Sequence, residues 1–308
     1  MRIKFYRTLA LAILIVLPAC TPSGADEPQR RVLIIGIDGC RLDAMQIATT
    51  PNLDSLVLSG VKFVGTDIRE PNATDKADTT SGPGWSNLLT GVWPDKHHVL
   101  DNGFAEPNYK RYPHVFARIK ESRPDAVTAS FTTWAPIADK IVSAADFSRN
   151  FSDQPTDYSR WDKEATLACS EYLRTADPDL VVYYQGQVDE AGHAHGFHPT
   201  VTAYTKAIET VDQNIGTLVS AIQSRPDFAN EDWLMIVCTD HGGQGTDHSG
   251  GHSDPEVRST FLIVSGKKVG GRPDVKTWQV DVVATALTHL KIDLKPEWEL
   301  DGHAVGLK

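Results

Sequence analysis

The sequence is short of cysteine and of positive charge. Its four cysteines, Cys20, Cys40, Cys169 and Cys238, are scattered over 308 residues, which excludes a disulfide framework. Thirty Lys and Arg stand against forty Asp and Glu, a net charge of -10. No basic face is therefore available to neutralise the phosphates of a long nucleic acid. The chain has no internal repeat and no low-complexity tract. Gly36 and Gly39 form neither a dinucleotide-binding loop nor a P-loop, because the other glycines and the lysine of those motifs are missing. With 41 % hydrophobic and 23 % charged residues the composition is that of a globular chain and excludes disorder. The acidic balance leaves one opening: some of the carboxylates hold metal cations.

Arg2, Lys4 and Arg7 precede an almost wholly apolar stretch, Leu9 to Leu17. That is the length of a signal-peptide core and too short for a membrane span. It ends in Leu17-Pro18-Ala19-Cys20, which resembles the lipobox of bacterial lipoproteins, whose Cys is lipidated and becomes the new N-terminus. An ordinary secretory signal with a coincidental Cys is the alternative. The expected organisation is a signal peptide over 1–19, a tether over 20–30 and a single domain over 31–308. Processing removes three cations and no acid, taking the net charge from -10 to -13. Thr21, rather than Asp, after Cys20 implies by the same resemblance an outer-membrane lipoprotein of the cell envelope, facing the periplasm.

Continuous apolar runs at 31–37, 180–184, 233–239 and 260–265 read as buried strands, with shorter ones at 61–64 and 126–131. Thr50-Pro51 opens a helix that Gly60 stops, and Gly91 closes a helix over 81–90. Further helices fall at 112–120, 157–175 and 280–290. Val201, Tyr204, Ile208, Val211, Ile215, Leu218 and Ile222 form one apolar stripe at spacings of three and four. Strands alternating with helices predict an α/β fold: a mostly parallel central sheet with helices on both faces. Segments 104–113 and 141–158 read as loop-rich insertions.

Candidate ligands follow three of the strands. Asp38 ends the first, Asp240-His241 end the 233–239 strand, and Asp189 and His193 lie a short loop beyond the 180–184 strand. Open parallel sheets collect ligands at that edge. Asp189 and His193 are four apart, so one helical turn aims both the same way. Gly192 is expected to allow a tight turn there, and Gly242-Gly243 a close approach. An Asp after a strand is, by itself, a helix cap. Three carboxylates with two imidazoles and further histidines downstream suit a mixed oxygen and nitrogen site such as zinc.

Ile37-Asp38-Gly39, Asp189-Glu190-Ala191-Gly192-His193 and Thr239-Asp240-His241-Gly242 together resemble the alkaline phosphatase superfamily, and within it the type I phosphodiesterases and nucleotide pyrophosphatases, over about residues 31–305. The resemblance implies an alkaline phosphatase-like three-layer sandwich. It also implies a hydrolase with two divalent metal ions, Zn2+ by ligand type with Mn2+ the alternative. It implies a Thr or Ser nucleophile at a helix N-terminus. Ser81 lies two residues before Pro83 and ten before Gly91, as that nucleophile does; Thr79 and Thr80 do not. Such a hydroxyl feels the positive end of the helix and its free N–H groups; the competing role is a plain N-cap. Asn102, in His97-His98-Val99-Leu100-Asp101-Asn102, matches the family Asn that helps hold a phosphate oxygen, with His98 where Gly is usual.

The resemblance further implies one metal on Asp189, His193 and His248 and the other on Asp38, Asp240 and His241, approached by Ser81. His252 competes with His248; the spacing in relatives with an Asp-His-Gly-Gly start favours His248, while counting back from the following strand does not separate them. Gly82, not Arg, follows the nucleophile, and Trp85 stands where sulfatases carry Arg. A small phosphodiester or pyrophosphate is therefore expected; the alternatives are a phosphomonoester, phosphonate or sulfate ester, or an inactive binding lipoprotein. Gly84-Trp85-Ser86-Asn87-Leu88 misses the nucleophile-elbow pattern at Leu88. Trp85 and Trp134 are candidates for stacking on a base or sugar, or for the wall of the site. His195 and His198 read as solvated, His114, His289 and His303 as structural, and Cys40 and Cys238 as buried small hydrophobes.

Overall fold

A computed structural model describes residues 27–69, 77–270 and 274–308. The expected signal peptide, Cys20 and most of the expected tether lie outside the described residues. The chain runs β1 (Gln29–Ile37), α1 (Leu42–Ile47), α2 (Pro51–Leu58), β2 (Gly60–Asp67), α3 (Ser81–Thr90), α4 (Pro94–His97), α5 (Val115–Ser122), β3 (Thr128–Thr132) and β4 (Phe147–Asn150). It continues with α6 (Tyr158–Thr175), β5 (Leu180–Gln185), α7 (Gln187–His195), α8 (Thr202–Gln223), β6 (Glu231–Cys238), α9 (Pro255–Arg258), β7 (Ser259–Gly266) and α10 (Asp281–His289). No described helix is long and apolar enough to cross a membrane.

The seven strands lie in the order β2-β7-β6-β1-β5-β3-β4. β1 pairs in parallel with both β5 and β6, and β5 with β3; β7 alone runs against its neighbours. Residues alternate across β1. Val32 and Ile34 face a layer built from Trp85, Leu88 and Leu89 of α3, Phe116 and Ile119 of α5 and Val283 and Leu287 of α10. Leu33, Ile35 and Ile37 face the opposite layer, with Leu53 and Leu56 of α2, Trp161 of α6, Val188 of α7 and the stripe of α8. The molecule is thus the expected three-layer α/β sandwich.

Helix α8 shows why packing, not propensity, forms these layers. Its Thr, Val and Ile residues each cost up to about 0.7 kcal/mol of helix propensity relative to Ala. Ile208, Val211, Ile215 and Leu218 are fully buried on its stripe, and each such burial returns roughly 1.5–3 kcal/mol. The segment read as an insertion at 141–158 holds the edge strand β4, whose four residues are all exposed and carry no apolar run to betray them. The helix opened by Thr50-Pro51 ends at Leu58, and Gly60 begins β2.

β1, β5 and β6 end together at one rim. Ile37 stands opposite Gln185, and Gly36 opposite Cys238. Asp38 extends the ladder, its N–H donating to the Gln185 carbonyl at 3.0 Å.

His97, at the end of α4, is fully buried: Nε2 donates to Asn87 Oδ1 at 2.9 Å and Nδ1 accepts the Val99 N–H at 3.0 Å. Burial pushes its pKa down to about 3. An unfolded His titrates near 6.5, so the unfolded state binds the extra proton as pH falls from about 6.5 toward 3. The stability His97 contributes is fully present above that window and is lost through it. Urea midpoints at about pH 7.5 and pH 5 test this: His97→Gln lowers stability most at the higher pH and shows the shallower pH dependence.

Candidate metal centre

Six side chains named from the sequence converge at the rim in two groups. Asp189, His193 and His248 form one; Asp38, Asp240 and His241 form the other. Within each group one ligand atom per residue lies within 4.8 Å of the rest. The rings of His241 and His248 stack with centroids 3.8 Å apart, so the two groups adjoin.

Backbone carbonyls set the tautomer of all three histidines. His193 Nδ1 bonds Thr246 O at 2.9 Å, His248 Nδ1 bonds Thr79 O at 2.9 Å, and His241 Nδ1 bonds Gly242 O at 2.8 Å. A carbonyl only accepts, so each Nδ1 carries a proton, and each ring in its neutral form turns an Nε2 lone pair inward. Those lone pairs meet carboxylate oxygens, which also only accept. His241 Nε2 lies 3.3 Å from Asp240 Oδ2 and 3.5 Å from Asp38 Oδ1. His193 Nε2 lies 3.3 Å from Asp189 Oδ2 and 3.1 Å from His248 Nε2. Asp240 Oδ2 and Asp189 Oδ1 are buried with no hydrogen-bond partner. Acceptors aimed at acceptors with orphaned carboxylate oxygens between them fit a bound cation in each group.

The electrostatics agree. Burial, then the neighbouring Asp240 and Asp189, pushes the Asp38 carboxyl well above its usual range. Burial likewise raises Asp240 to about 6, with Asp189 adding to the shift. Asp189 holds His193 up at about 9 through their hydrogen bond, while burial and His241 push His248 down to about 4. Three carboxylates are packed with too little positive charge, and divalent cations would relieve this.

Ser81 is the first residue of α3 and nearly buried. Its Oγ lies 3.5 Å from Asp38 Oδ1 and 3.4 Å from His241 Nε2, on the Asp38 group. The Thr79 hydroxyl is spent on the His248 carbonyl, and the Thr80 hydroxyl makes no hydrogen bond. Asn102 Oδ1 accepts the Gly82 N–H at 2.6 Å, leaving its amide nitrogen as a donor beside the start of α3. His98 takes a left-handed φ of 60°, which accounts for glycine being usual there.

The fold decides the remaining sequence readings. His248, not His252, joins Asp189 and His193; His252 Nε2 meets the Ala77 carbonyl instead. Gly192 makes no turn. It lies inside α7, where a Cβ would come within 2.2 Å of the Phe197 ring. Gly242 admits the Glu256 carbonyl, which a Cβ would meet at 2.0 Å. Trp85 is buried rather than open for stacking: its Nε1 donates to Asp38 Oδ2 at 2.9 Å. Trp134 packs on Phe104, ring centroids 6.1 Å apart. His195 and His198 are exposed, and Cys40 and Cys238 are buried.

Two contributors carried no signal in the sequence. Tyr184, inside the apolar run of β5, donates its hydroxyl to Asp38 Oδ2 at 2.6 Å. Together with Trp85 it occupies that oxygen and leaves Oδ1 for the centre. Arg41 is buried and ties the rim together, donating to the carbonyls of Phe197 and Gly243 and pairing with Asp43 and Glu256.

The sequence model of the family described as type I phosphodiesterase / nucleotide pyrophosphatase matches residues 32–270. The chain belongs to this family. Mouse ectonucleotide pyrophosphatase/phosphodiesterase family member 7 is 24 % identical over 255 residues, which are 76 % of this chain and 54 % of that protein. Rat family member 3 is 26 % identical over 244 residues, 73 % of this chain and 26 % of that one. The chain thus spans about half of the first relative and a quarter of the second. Murine ectonucleotide pyrophosphatase / phosphodiesterase 5, in an inactive form complexed with AMP, has the same fold. Its TM-score is 0.62 at 15 % identity, over 90 % of this chain and 97 % of that one. A 2-O GAG sulfatase superposes with TM-score 0.69 at 14 % identity, over 91 % of this chain and 73 % of its own. The fold is that of the alkaline phosphatase superfamily, and the family's curated relatives are hydrolases.

Removing the Tyr184 hydroxyl tests the cradle around Asp38. Tyr184→Phe is expected to fold normally and to weaken divalent-metal affinity by about 10- to 100-fold, read by competition with a chromophoric chelator. Unchanged affinity in that variant would show that Trp85 alone orients Asp38.

Proposed function

We propose that this chain is an exported, metal-dependent phosphoesterase that hydrolyses phosphodiester or pyrophosphate bonds of small substrates through a covalent phospho-Ser81. One observation carries the reading: the Ser81 hydroxyl stands at a helix N-terminus 3.4 Å from His241 Nε2 and 3.5 Å from Asp38 Oδ1, beside two groups of inward-turned acceptors. Divalent cations, zinc by donor type, held by Asp189, His193 and His248 and by Asp38, Asp240 and His241 supply Lewis-acid stabilisation of phosphoryl oxygens and favour the Ser81 alkoxide.

Ser81 Oγ, having lost its proton, attacks phosphorus in line. The P–O bond to the leaving alcohol or phosphate breaks on the opposite side. The Asn102 amide nitrogen holds a non-bridging oxygen as charge builds there, at the positive end of α3. Water then attacks phospho-Ser81 from the vacated side, the P–Oγ bond breaks, and the hydroxyl is restored. Gly82 follows Ser81, so the position from which an Arg would meet a second negative charge is empty of cation. Arg41, a buried cation of this rim, is already spent on Asp43, Glu256 and two carbonyls. This supports a singly charged ester.

The export reading rests on the apolar core before Cys20 and the lipobox pattern. It places the mature chain on the outer membrane through a lipidated Cys20, facing the periplasm.

Turnover of bis-p-nitrophenyl phosphate, p-nitrophenyl phosphate and p-nitrophenyl sulfate tests the reaction class. The diester is expected to be fastest; a faster sulfate ester would overturn the reading in favour of a sulfatase. Ser81→Ala should lower diester turnover by roughly three orders of magnitude or more while keeping its metal content. Activity that survives exhaustive chelation would sink the metal-dependent mechanism.

A further inference from the structure

β5 passes into α7 through a single residue, Gly186, and α7 carries both Asp189 and His193. A helix begins with amide groups that have no partner within it, and a Ser, Thr, Asp or Asn at the cap ordinarily meets one of them. Gly186 has no side chain to do so. It cannot gain one, because a Cβ there would lie 2.4 Å from the Tyr158 ring.

The cap comes from another element. Asp162, fully buried in the second turn of α6, accepts the Gly186 N–H on Oδ1 at 3.1 Å and the Gln187 N–H on Oδ2 at 2.9 Å. The Thr133 hydroxyl, just past β3, donates to Oδ1 at 2.7 Å. Burial raises this carboxyl to about 7, and these three donors work against that rise. A carboxylate at a helix N-terminus is also favoured by the helix dipole. The two capped amides lie two and three residues before Asp189. Asp162 therefore holds the turn from which that carboxylate projects, with His193 one turn further on.

We propose that Asp162 is a positioning residue for metal binding: by capping α7 from α6 it holds Asp189 and His193 in register with His248. The proposal rests on the two-cation reading above. It makes the Asp189 group a preformed site, ordered before any cation arrives.

The full chain, freed of metal, is titrated with Co2+ and Zn2+, followed by visible absorption and by competition with a chelator. Wild type is expected to bind two equivalents. Asp162→Asn keeps the size but turns an NH2 toward a backbone N–H. It should weaken one equivalent by about 10- to 100-fold, alter the Co2+ absorption of that equivalent, and leave the far-ultraviolet circular dichroism unchanged. Thr133→Val, which keeps both capping bonds, should bind both equivalents as wild type does. If Asp162→Asn binds both with wild-type affinity and spectrum, Asp162 is only a buried structural carboxylate and the proposal is overturned. If wild type itself binds no metal, the two-cation reading falls and takes this one with it. Hydrogen exchange on the wild-type chain gives a second check should Asp162→Asn fail to fold. Amides of the first turn of α7 are expected to be protected equally with and without Zn2+; protection gained only on adding Zn2+ would mean that the metal orders the helix, against the proposal.

Discussion

Three imidazole N–H groups bonded to backbone carbonyls are the constraint on which the rim is built. Thr246, Thr79 and Gly242 each offer a carbonyl to one Nδ1, and that choice turns three Nε2 lone pairs inward. Without it the rings are free to rotate or to donate toward the carboxylates and cancel the site. With it, acceptors face acceptors across a few ångströms, an arrangement with no intrinsic stability. The fold holds it because each carbonyl belongs to a segment fastened elsewhere. The Thr79 hydroxyl grips the His248 carbonyl, Gly251 N–H grips Thr79 Oγ1 at 2.9 Å, and Arg41 clamps Gly243 to Phe197. The segment just before the nucleophile and the loop that brings His248 are thus held as one unit.

The sheet supplies the rest. Three adjacent parallel strands deliver Asp38, Asp240 and, through α7, Asp189 to one edge, where the backbone is rigid to within its hydrogen-bond ladder. Burying three carboxylates there is costly, and the structure shows the cost as raised carboxyl pKa values at Asp38 and Asp240. Such a site is strained without cations and relaxed with them, so binding affinity is stored in the folded protein rather than created by rearrangement. Tyr184 and Trp85 limit the freedom that remains by engaging Asp38 Oδ2.

Much of this was legible in the residues because it obeys simple periodicities. β1, β5, β6 and β7 are apolar runs, α8 is a seven-residue stripe, and the ligands stand directly past strand ends. Ser81 stood apart from Thr79 and Thr80 only through the family resemblance, by its spacing to Pro83 and Gly91. What escaped is what depends on long-range contact. Tyr184 looked like one more apolar residue of LVVYY. Trp85 looked available because a sequence does not reveal that its ring is buried with its N–H on Asp38. Gly192 suggested a turn, whereas its reason is the Phe197 ring five residues on, which only the folded chain brings back against α7. His248 and His252 sit on one glycine-rich loop, and the fold of that loop alone puts one on Asp189 and the other on the Ala77 carbonyl.

Charge balance then narrows what such a centre is built to receive. The three carboxylates bring three negative charges, and three imidazoles that meet a cation through Nε2 bring none. Two divalent cations leave a surplus of one positive charge. A phosphodiester carries one negative charge and matches that surplus, whereas a monoester dianion overshoots it. An additional cation beside the nucleophile would be the remedy, and the place for one, residue 82, is Gly, packed where a Cβ would lie 2.7 Å from the Asp101 carbonyl. The same packing that sets Asn102 against α3 therefore keeps any larger, charged residue out. On the function proposed above, a chain whose overall acidity argues against polyanions gains in this way a local site matched to a small, singly charged phosphate ester.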